Sequence, residues 1–382
     1  PKGRFSVRRL REIIPHTILL AGMKGVAERR KSRGSQKKSA PKAAARNPIS
    51  LQKLILNLPR SVPRFVEPMK ARLSENLPTS NEWVYEIKFD GFRGLALKNG
   101  TEVRLISRNN RELGPKFPVV IAAIRKLPCN QLLLDGELVA LDEKGRSSFQ
   151  LLQGGGDVSS ESAGLFFYVF DILNVNGHET TGLPLLKRKA LLQTLIKGNS
   201  NCIRYSDVLT GNIEELGRVM RSMGLEGLIA KKRDSLYEVG ARSGSWIKFK
   251  WANEQEFVIG GYTDPEGSRP YFGSVLVGYY DGPKLHFVAK VGTGFNVKLL
   301  KSLYDQFQKV RVETTPFANL PERGGVLGPS QMRFCKWIEP TLVCQVRFTE
   351  WTRDGHLRQP VFLGVREDKD PRQVVKEIPT QT

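Results

Sequence analysis

From residue 63 onward, apolar and polar positions fall into short alternating runs with a few longer helical stripes between them. The pattern predicts a strand over 83–89, a glycine turn, and a second strand near 94–98. A short helix is predicted over 117–127. The run 132–141 reads as a buried strand interrupted by Asp135 and Glu137, and 165–173 reads as a strongly apolar, aromatic strand. Stretches 184–196 and 212–223 have amphipathic helical spacing. Pro184 suits a first helical position, and Asn212 with Glu215 makes an N-cap signal. Further short strands are predicted over 228–232 and 246–251.

The pattern changes after Asn253. Runs 257–262, 274–280 and 285–291 alternate between Gly, Asp and Pro turns, with Asp281-Gly282-Pro283 separating two of them. One helix is predicted over 297–310, capped by Asn296, with Leu299, Leu300, Leu303, Phe307 and Val310 on one face. Strand character returns over 343–351 and 360–365. About five short strands with one helix fit a small closed barrel of the OB type.

Composition narrows the field. With 382 residues and 40% hydrophobic content, the chain can bury the cores of two or three domains. It contains no apolar run long enough to cross a membrane as a helix. Its net charge of +22 points to a polyanionic partner, with nucleic acid first among them. The charge is uneven: residues 1–62 carry +14 and the rest +8. Stretch 1–48 sets Arg29, Arg30, Lys31, Arg33, Lys37, Lys38, Lys42 and Arg46 among Ser, Gly, Ala and Pro, and reads as a disordered basic tail. A secretory leader at 13–22 is disfavoured by Pro15 and His16. The four cysteines lack CxxC spacing and suit a reducing compartment. The four histidines show no metal spacing, so a histidine-based metallohydrolase or a Ser-His-Asp hydrolase is disfavoured.

The sharpest local feature is Glu86-Ile87-Lys88-Phe89-Asp90-Gly91-Phe92-Arg93, which delivers a lysine to a glycine turn at a strand end. A buried lysine near other cations loses its proton more readily and becomes a nucleophile, so lysines and a divalent cation at this site are expected to help depress the pKa of Lys88. Asp135-Gly136-Glu137 places two carboxylates at a strand end, and Glu226-Gly227-Leu228-Ile229-Ala230-Lys231 places another at a strand start. Trp246-Ile247-Lys248-Phe249-Lys250 sets two lysines on one strand face, and Arg366-Glu367-Asp368-Lys369 adds charges near the end. Each alone is as readily a solvated strand end. Gly154-Gly155-Gly156 lacks a following Gly-Lys-Ser/Thr and reads as a loop.

Taken in order, the set resembles the covalent nucleotidyltransferase superfamily of ATP-dependent DNA ligases, RNA ligases and mRNA capping enzymes, over 63–370. The flanks 65–69, 107–109, 148–153, 170–174 and 347–370 are most similar to the ligase domain of bacterial ligase D, an end-joining enzyme. The run Phe348-Thr349-Glu350-Trp351-Thr352-Arg353-Asp354-Gly355 is the most characteristic. The resemblance implies an α+β fold: an ATP-grasp-like nucleotidyltransferase domain of antiparallel sheets with flanking helices, followed by an OB-fold barrel. The expected division is 1–62 tail and linker, 63–252 adenylation domain and 253–382 OB domain.

The resemblance also implies roles. Lys88 would attack the α-phosphate of ATP and carry AMP. Glu86 would read the adenine edge and Phe170 would stack on the ring. Arg93 and Glu137 would hold ribose, and Arg108 would also bind the nucleotide. Glu137 and Glu226 would ligate Mg²⁺ or Mn²⁺, Lys248 and Lys250 would bind the α-phosphate, and Arg366, Asp368 and Lys369 would orient pyrophosphate. Implied partners are nicked or broken duplex DNA and a Ku-type end-binding protein, for a monomer in the bacterial cytoplasm or nucleoid. The chain would be a stand-alone ligase or one piece of a longer one. An RNA ligase, a capping enzyme or a non-catalytic DNA-binding scaffold are the alternatives. The ligase D-like flanks argue against the first two, and the retained Lys88 and carboxylates argue against the third.

Overall fold

The computed structural model describes residues 55–378, apart from 142–146, 148–150, 153–163, 197–201, 210–212, 224, 266 and 322–326. The basic tail through residue 54, the Asn212 cap, the Gly154–Gly156 run and most of 148–153 therefore lie outside the described residues. Two compact units divide between Phe249 and Lys250.

The first unit is built on two sheets. Strands β1 (Arg72–Leu73), β2 (Trp83–Lys88), β9 (Gly227–Lys232) and β10 (Trp246–Lys250) form one, in the order β1-β10-β9-β2. The other follows β3 (Phe92–Asn99), β4 (Glu102–Ser107), β5 (Gln131–Leu141), β6 (Gly164–Val175) and β7 (His178–Glu179) in the order β4-β3-β5-β6-β7, with β8 (Ile203–Tyr205) parallel to β6. Helices α1 (Pro118–Arg125), α2 (Leu185–Ile196) and α3 (Ile213–Ser222) accompany them.

Strand periodicity explains the layering. On β3, Leu95 and Leu97 point into a core with Met69, Ile106, Leu133, Leu173, Tyr237 and Trp246. Phe92 and Ala96, on the opposite face, join the larger core with Val120, Ile124, Leu192 and Leu195 of α1 and α2. A sheet buried on both faces accounts for the nearly continuous apolar runs on β5 and β6.

The chain changes sheets between β2 and β3. That corner contains Gly91, where an added Cβ would lie 2.0 Å from the carbonyl oxygen of Leu138 on β5. Only glycine permits this approach. The corner sets Lys88, the last residue of β2, beside the six-stranded sheet.

In the second unit, β11 (Asn253–Thr263), β12 (Val275–Asp281), β13 (Lys284–Val291), β15 (Cys335–Phe348) and β16 (Val361–Val365) pair in the order β13-β12-β11-β15-β16, and β14 (Arg311–Val312) adds to β15. The sheet curls until Thr293, just after β13, meets Val361 in a parallel bridge, with Phe362 N–H donating to Thr293 O at 2.9 Å. This closure produces the small OB-type barrel. Helix α4 (Val297–Lys309) buries Leu300, Leu303 and Phe307 against it. The Asn296 side chain accepts from Leu299 N–H at 2.8 Å and starts the helix as expected. Among the described residues, no helix is long and apolar enough to cross a membrane.

Candidate active site

Lys88 is partly buried at the end of β2 and forms an ion pair with Glu226, which directly precedes β9. Cross-strand pairing of Lys88 with Gly227 brings them together. Burial alone would push the ammonium down. Glu226, with Asp90 and Glu137 also acting on it, outweighs burial and holds Lys88 above the ordinary lysine value. In the protein alone, the charges that dominate around the amine are carboxylates, not lysines.

Glu226 is 7% exposed, and its second carboxylate oxygen is buried without a hydrogen-bond partner. An orphaned hard oxygen is the kind of ligand that Mg²⁺ or Mn²⁺ takes. No cluster of three or more His, Cys, Asp or Glu side chains that could hold a metal occurs among the described residues.

Glu86, two residues before Lys88 on the same strand face, is buried. Its carboxylate lies 3.1 Å from Lys189 Nζ and 2.9 Å from Lys231 Nζ, and it accepts from Ser206 Oγ at 2.7 Å. Burial would raise its pKa, but the two lysines and Ser206 hold it below the ordinary glutamate value. Lys231 lies 4.5 Å from the ring centre of Phe170 and 4.2 Å from that of Trp246.

Arg93 and Glu137 are directly paired across β3 and β5. The Arg93 guanidinium grips Asp135 at 2.8 and 2.6 Å and donates to Met69 O at 3.0 Å. Its carbon lies 4.9 Å from the Phe170 ring centre. Tyr237 donates to Asp135 at 2.6 Å and accepts from Met69 N–H at 3.1 Å, closing the network. Phe170 thus sits against two cations, with Trp246 edge-on at 6.0 Å. Arg108, just beyond β4, has a buried Nε with no hydrogen-bond partner.

Lys248 lies on β10 opposite Leu73. Lys250 begins the second unit; it donates to Glu254 O at 2.6 Å and lies 3.6 Å from Glu377. In that unit Arg366 forks onto Asp368 at 2.9 Å twice, while Lys369 lies 2.7 Å from Glu256 on β11. The structure therefore gathers Glu86, Lys88, Arg93, Glu137, Phe170 and Glu226 in the first unit. Arg366, Asp368 and Lys369 form a separate ionic cluster in the second.

The comparisons with known proteins cover the stretches of chain that carry these residues. The family described as "ATP dependent DNA ligase domain" matches residues 63–250, and "ATP dependent DNA ligase C terminal region" matches 268–369. A solved structure of a mycobacterial DNA ligase D complexed with ATP and MES is 32% identical, covers 80% of this chain and 98% of that chain, and superposes with a TM-score of 0.58.

The chain belongs to the ATP-dependent DNA ligases.

Two longer ligase relatives agree. The multifunctional non-homologous end joining protein LigD of Pseudomonas aeruginosa is 35% identical over 83% of this chain and 37% of that protein. The non-homologous end joining DNA repair protein LigD of Mycobacterium tuberculosis is 36% identical over 78% of this chain and 38% of that protein. The chain thus spans little more than a third of these relatives.

Sequence reasoning missed five members of this ligase's site environment: Lys189, Ser206, Lys231 as a partner of Glu86, Asp135 as the anchor of Arg93, and Tyr237. A signal for Lys189 existed. Residues 185, 188, 189 and 192 share one helical face, so Arg188 and Lys189 lie on an apolar stripe with Leu185 and Leu192. Both are in fact buried.

Proposed function

We propose that this chain seals 5′-phosphate/3′-hydroxyl breaks in duplex DNA through an AMP carried on Lys88. The observation behind this reading is the Lys88–Glu226 pair at the sheet corner: a lysine amine at a strand end, ringed by carboxylates, one of which has an unsatisfied oxygen.

Lys88 gives up a proton to solvent, and its Nζ attacks the α-phosphorus of ATP. An N–P bond forms and pyrophosphate leaves. A DNA 5′-phosphate oxygen then takes the AMP, and Lys88 Nζ regains a proton. Finally the 3′-hydroxyl attacks that 5′-phosphorus and AMP departs. Charge builds on phosphate oxygens at each step, so fixed cations lower the barriers. Lys248 and Lys250 meet the α-phosphate, Lys250 after leaving Glu377. Arg366 and Lys369 meet the pyrophosphate, and Asp368 holds Arg366. Glu86 reads the adenine edge, Phe170 stacks on the base, Arg93 and Glu137 approach the ribose, and Arg108 offers its unpartnered Nε to the nucleotide. Glu137 and Glu226 would hold Mg²⁺ or Mn²⁺, which supplies charge neutralisation at the phosphates.

We assign adenylation to 63–252 and an OB-type DNA-facing role to 253–382. The basic 1–62 segment supplies sequence-independent phosphate contacts. Repair by end joining in the cytoplasm, as a monomer working with a Ku-type end-binding protein, completes the proposal.

The test is direct. Purified protein is incubated with labelled ATP and Mg²⁺ or Mn²⁺, then offered nicked DNA or nicked RNA. A covalent AMP adduct that is lost in Lys88→Ala and discharged by nicked DNA is expected. An adduct in the Lys88→Ala protein, or formed preferentially from GTP, overturns the reading. Deleting 1–48 should leave the adduct intact and weaken nick binding with a flatter salt dependence; unchanged nick affinity removes the role given to that segment.

A further inference from the structure

The buried charges around Glu86 exceed what a strand needs to fold. Lys189 arrives from α2, and besides Glu86 its ammonium donates to Ser206 O at 2.5 Å and lies 4.4 Å from the ring centre of Tyr205. Ser206 is itself fixed, its N–H donating to Val169 O on β6 at 2.8 Å. Lys231 is held between Phe170 and Trp246. None of these groups can swing away from Glu86 without breaking a buried contact.

A carboxylate has acceptor capacity for about four hydrogen bonds. Ser206 fills one direction on Oε2, while Lys189 and Lys231 converge as ion pairs on Oε1, which has no hydrogen-bond partner, so acceptor capacity remains. Adenine carries an amino group at C6, which donates. A 6-oxo purine carries a carbonyl there, which only accepts. An ionised carboxylate with acceptor capacity left therefore attracts the first and repels the second. A protonated carboxyl would donate to the 6-oxo group and lose this selectivity.

We propose that Lys189 and Ser206 are positioning residues that keep Glu86 ionised and aimed, and so set the preference for adenine over a 6-oxo purine. The inference rests on the reading of Glu86 as the adenine-edge contact. The titratable and charged groups facing Glu86 are Lys189 from α2, Lys231 from β9, Tyr205 from β8, and Asp207, whose carboxyl is raised by burial and by Glu86 itself. Of these, Lys189 and Lys231 favour the ionised form of Glu86.

The experiment measures initial rates of covalent adduct formation from labelled ATP and from labelled ITP, on the full chain, at mildly acidic and mildly alkaline pH. In Lys189→Met the ATP-to-ITP preference should fall about tenfold, further at the acidic end, because an ion pair to Glu86 is gone. Lys189→Arg should restore it. Ser206→Ala removes one hydroxyl and should erode the preference in the same sense, which keeps the test alive if Lys189→Met fails to fold. A purely structural role would lower both rates and leave their ratio unchanged at every pH. That result in both variants, with Glu86→Gln losing the preference, overturns the positioning role alone. Retention of the preference in Glu86→Gln overturns the adenine-edge reading, and the inference with it.

Discussion

Two acid–base pairs in the first unit look alike in sequence and differ in what surrounds them. Asp171 on β6 and Arg188 on α2 are both fully buried and joined at 2.7 and 3.0 Å. Arg188 further donates to Leu183 O and to Ser235 O, and Asp171 accepts from Ile172 N–H. Lys88 and Glu226 are joined at a single point, remain partly exposed on the lysine side, and leave a carboxylate oxygen with no hydrogen-bond partner. A saturated pair has no capacity left for a ligand and serves the scaffold. An unsaturated pair costs stability and keeps capacity for chemistry.

The sharpest way to break this contrast is Lys88→Ala. Adduct formation should vanish while the unfolding midpoint in denaturant stays close to that of the parent. A large drop in the midpoint would make Lys88 a scaffold residue.

Asp171→Ala should do the reverse. Removing one partner strands a buried guanidinium and should cost about 3–5 kcal/mol in denaturant unfolding. Replacing both partners with apolar residues of similar volume should recover much of that loss.

Glu86 stands between the two cases, and pH distinguishes it. Its folded pKa is depressed, so its contribution is fully present above the ordinary glutamate value of about 4.5. That contribution fades as pH falls through the lower folded value. The stability difference between parent and Glu86→Gln should therefore shrink on acidification below about 4.5. A difference that grows instead would contradict the ion network.

The smallest effect is expected in the second unit. Arg358 and Glu350 pair at the surface, with side chains 63% and 53% exposed. Arg358→Ala should change stability by less than about 1 kcal/mol and lose even that in high salt.

The sequence revealed the elements whose pattern is local. β2, β5 and β6 show in their apolar runs, and α4 shows in its stripe and its Asn296 cap. Strands β1, β4, β7, β8 and β14 escaped because each is short or carries charges, and long-range pairing sustains them. β15 begins at Cys335, earlier than the expected 343, because Glu339 and Pro340 interrupt the apolar pattern. In the structure they fall where the register with β11 slips, between Trp337 and Leu342, a position that tolerates proline. The site was legible where chemistry coincides with a motif: Lys88, Glu137, Glu226. It was illegible where a charge works only through tertiary partners. Nothing near Arg93 in the sequence announces Asp135 or Tyr237, and Lys189, though on the apolar stripe of α2, has nothing beside it in the sequence that names Glu86 as its partner.

The corner at Gly91 carries a consequence for spacing. Lys88 and Glu86 ride on the four-stranded sheet, while Arg93 and Glu137 ride on the six-stranded one, and only Phe89, Asp90, Gly91 and Phe92 join Lys88 to Arg93. With the crossing closed against Leu138 O, those four residues act as a ruler between the two sheets. One residue added there would turn a strand's faces over and send its reactive side chains the wrong way. The interval between Lys88 and Arg93 is thus a mechanical dimension of the ligase, fixed by chain length rather than by any side chain.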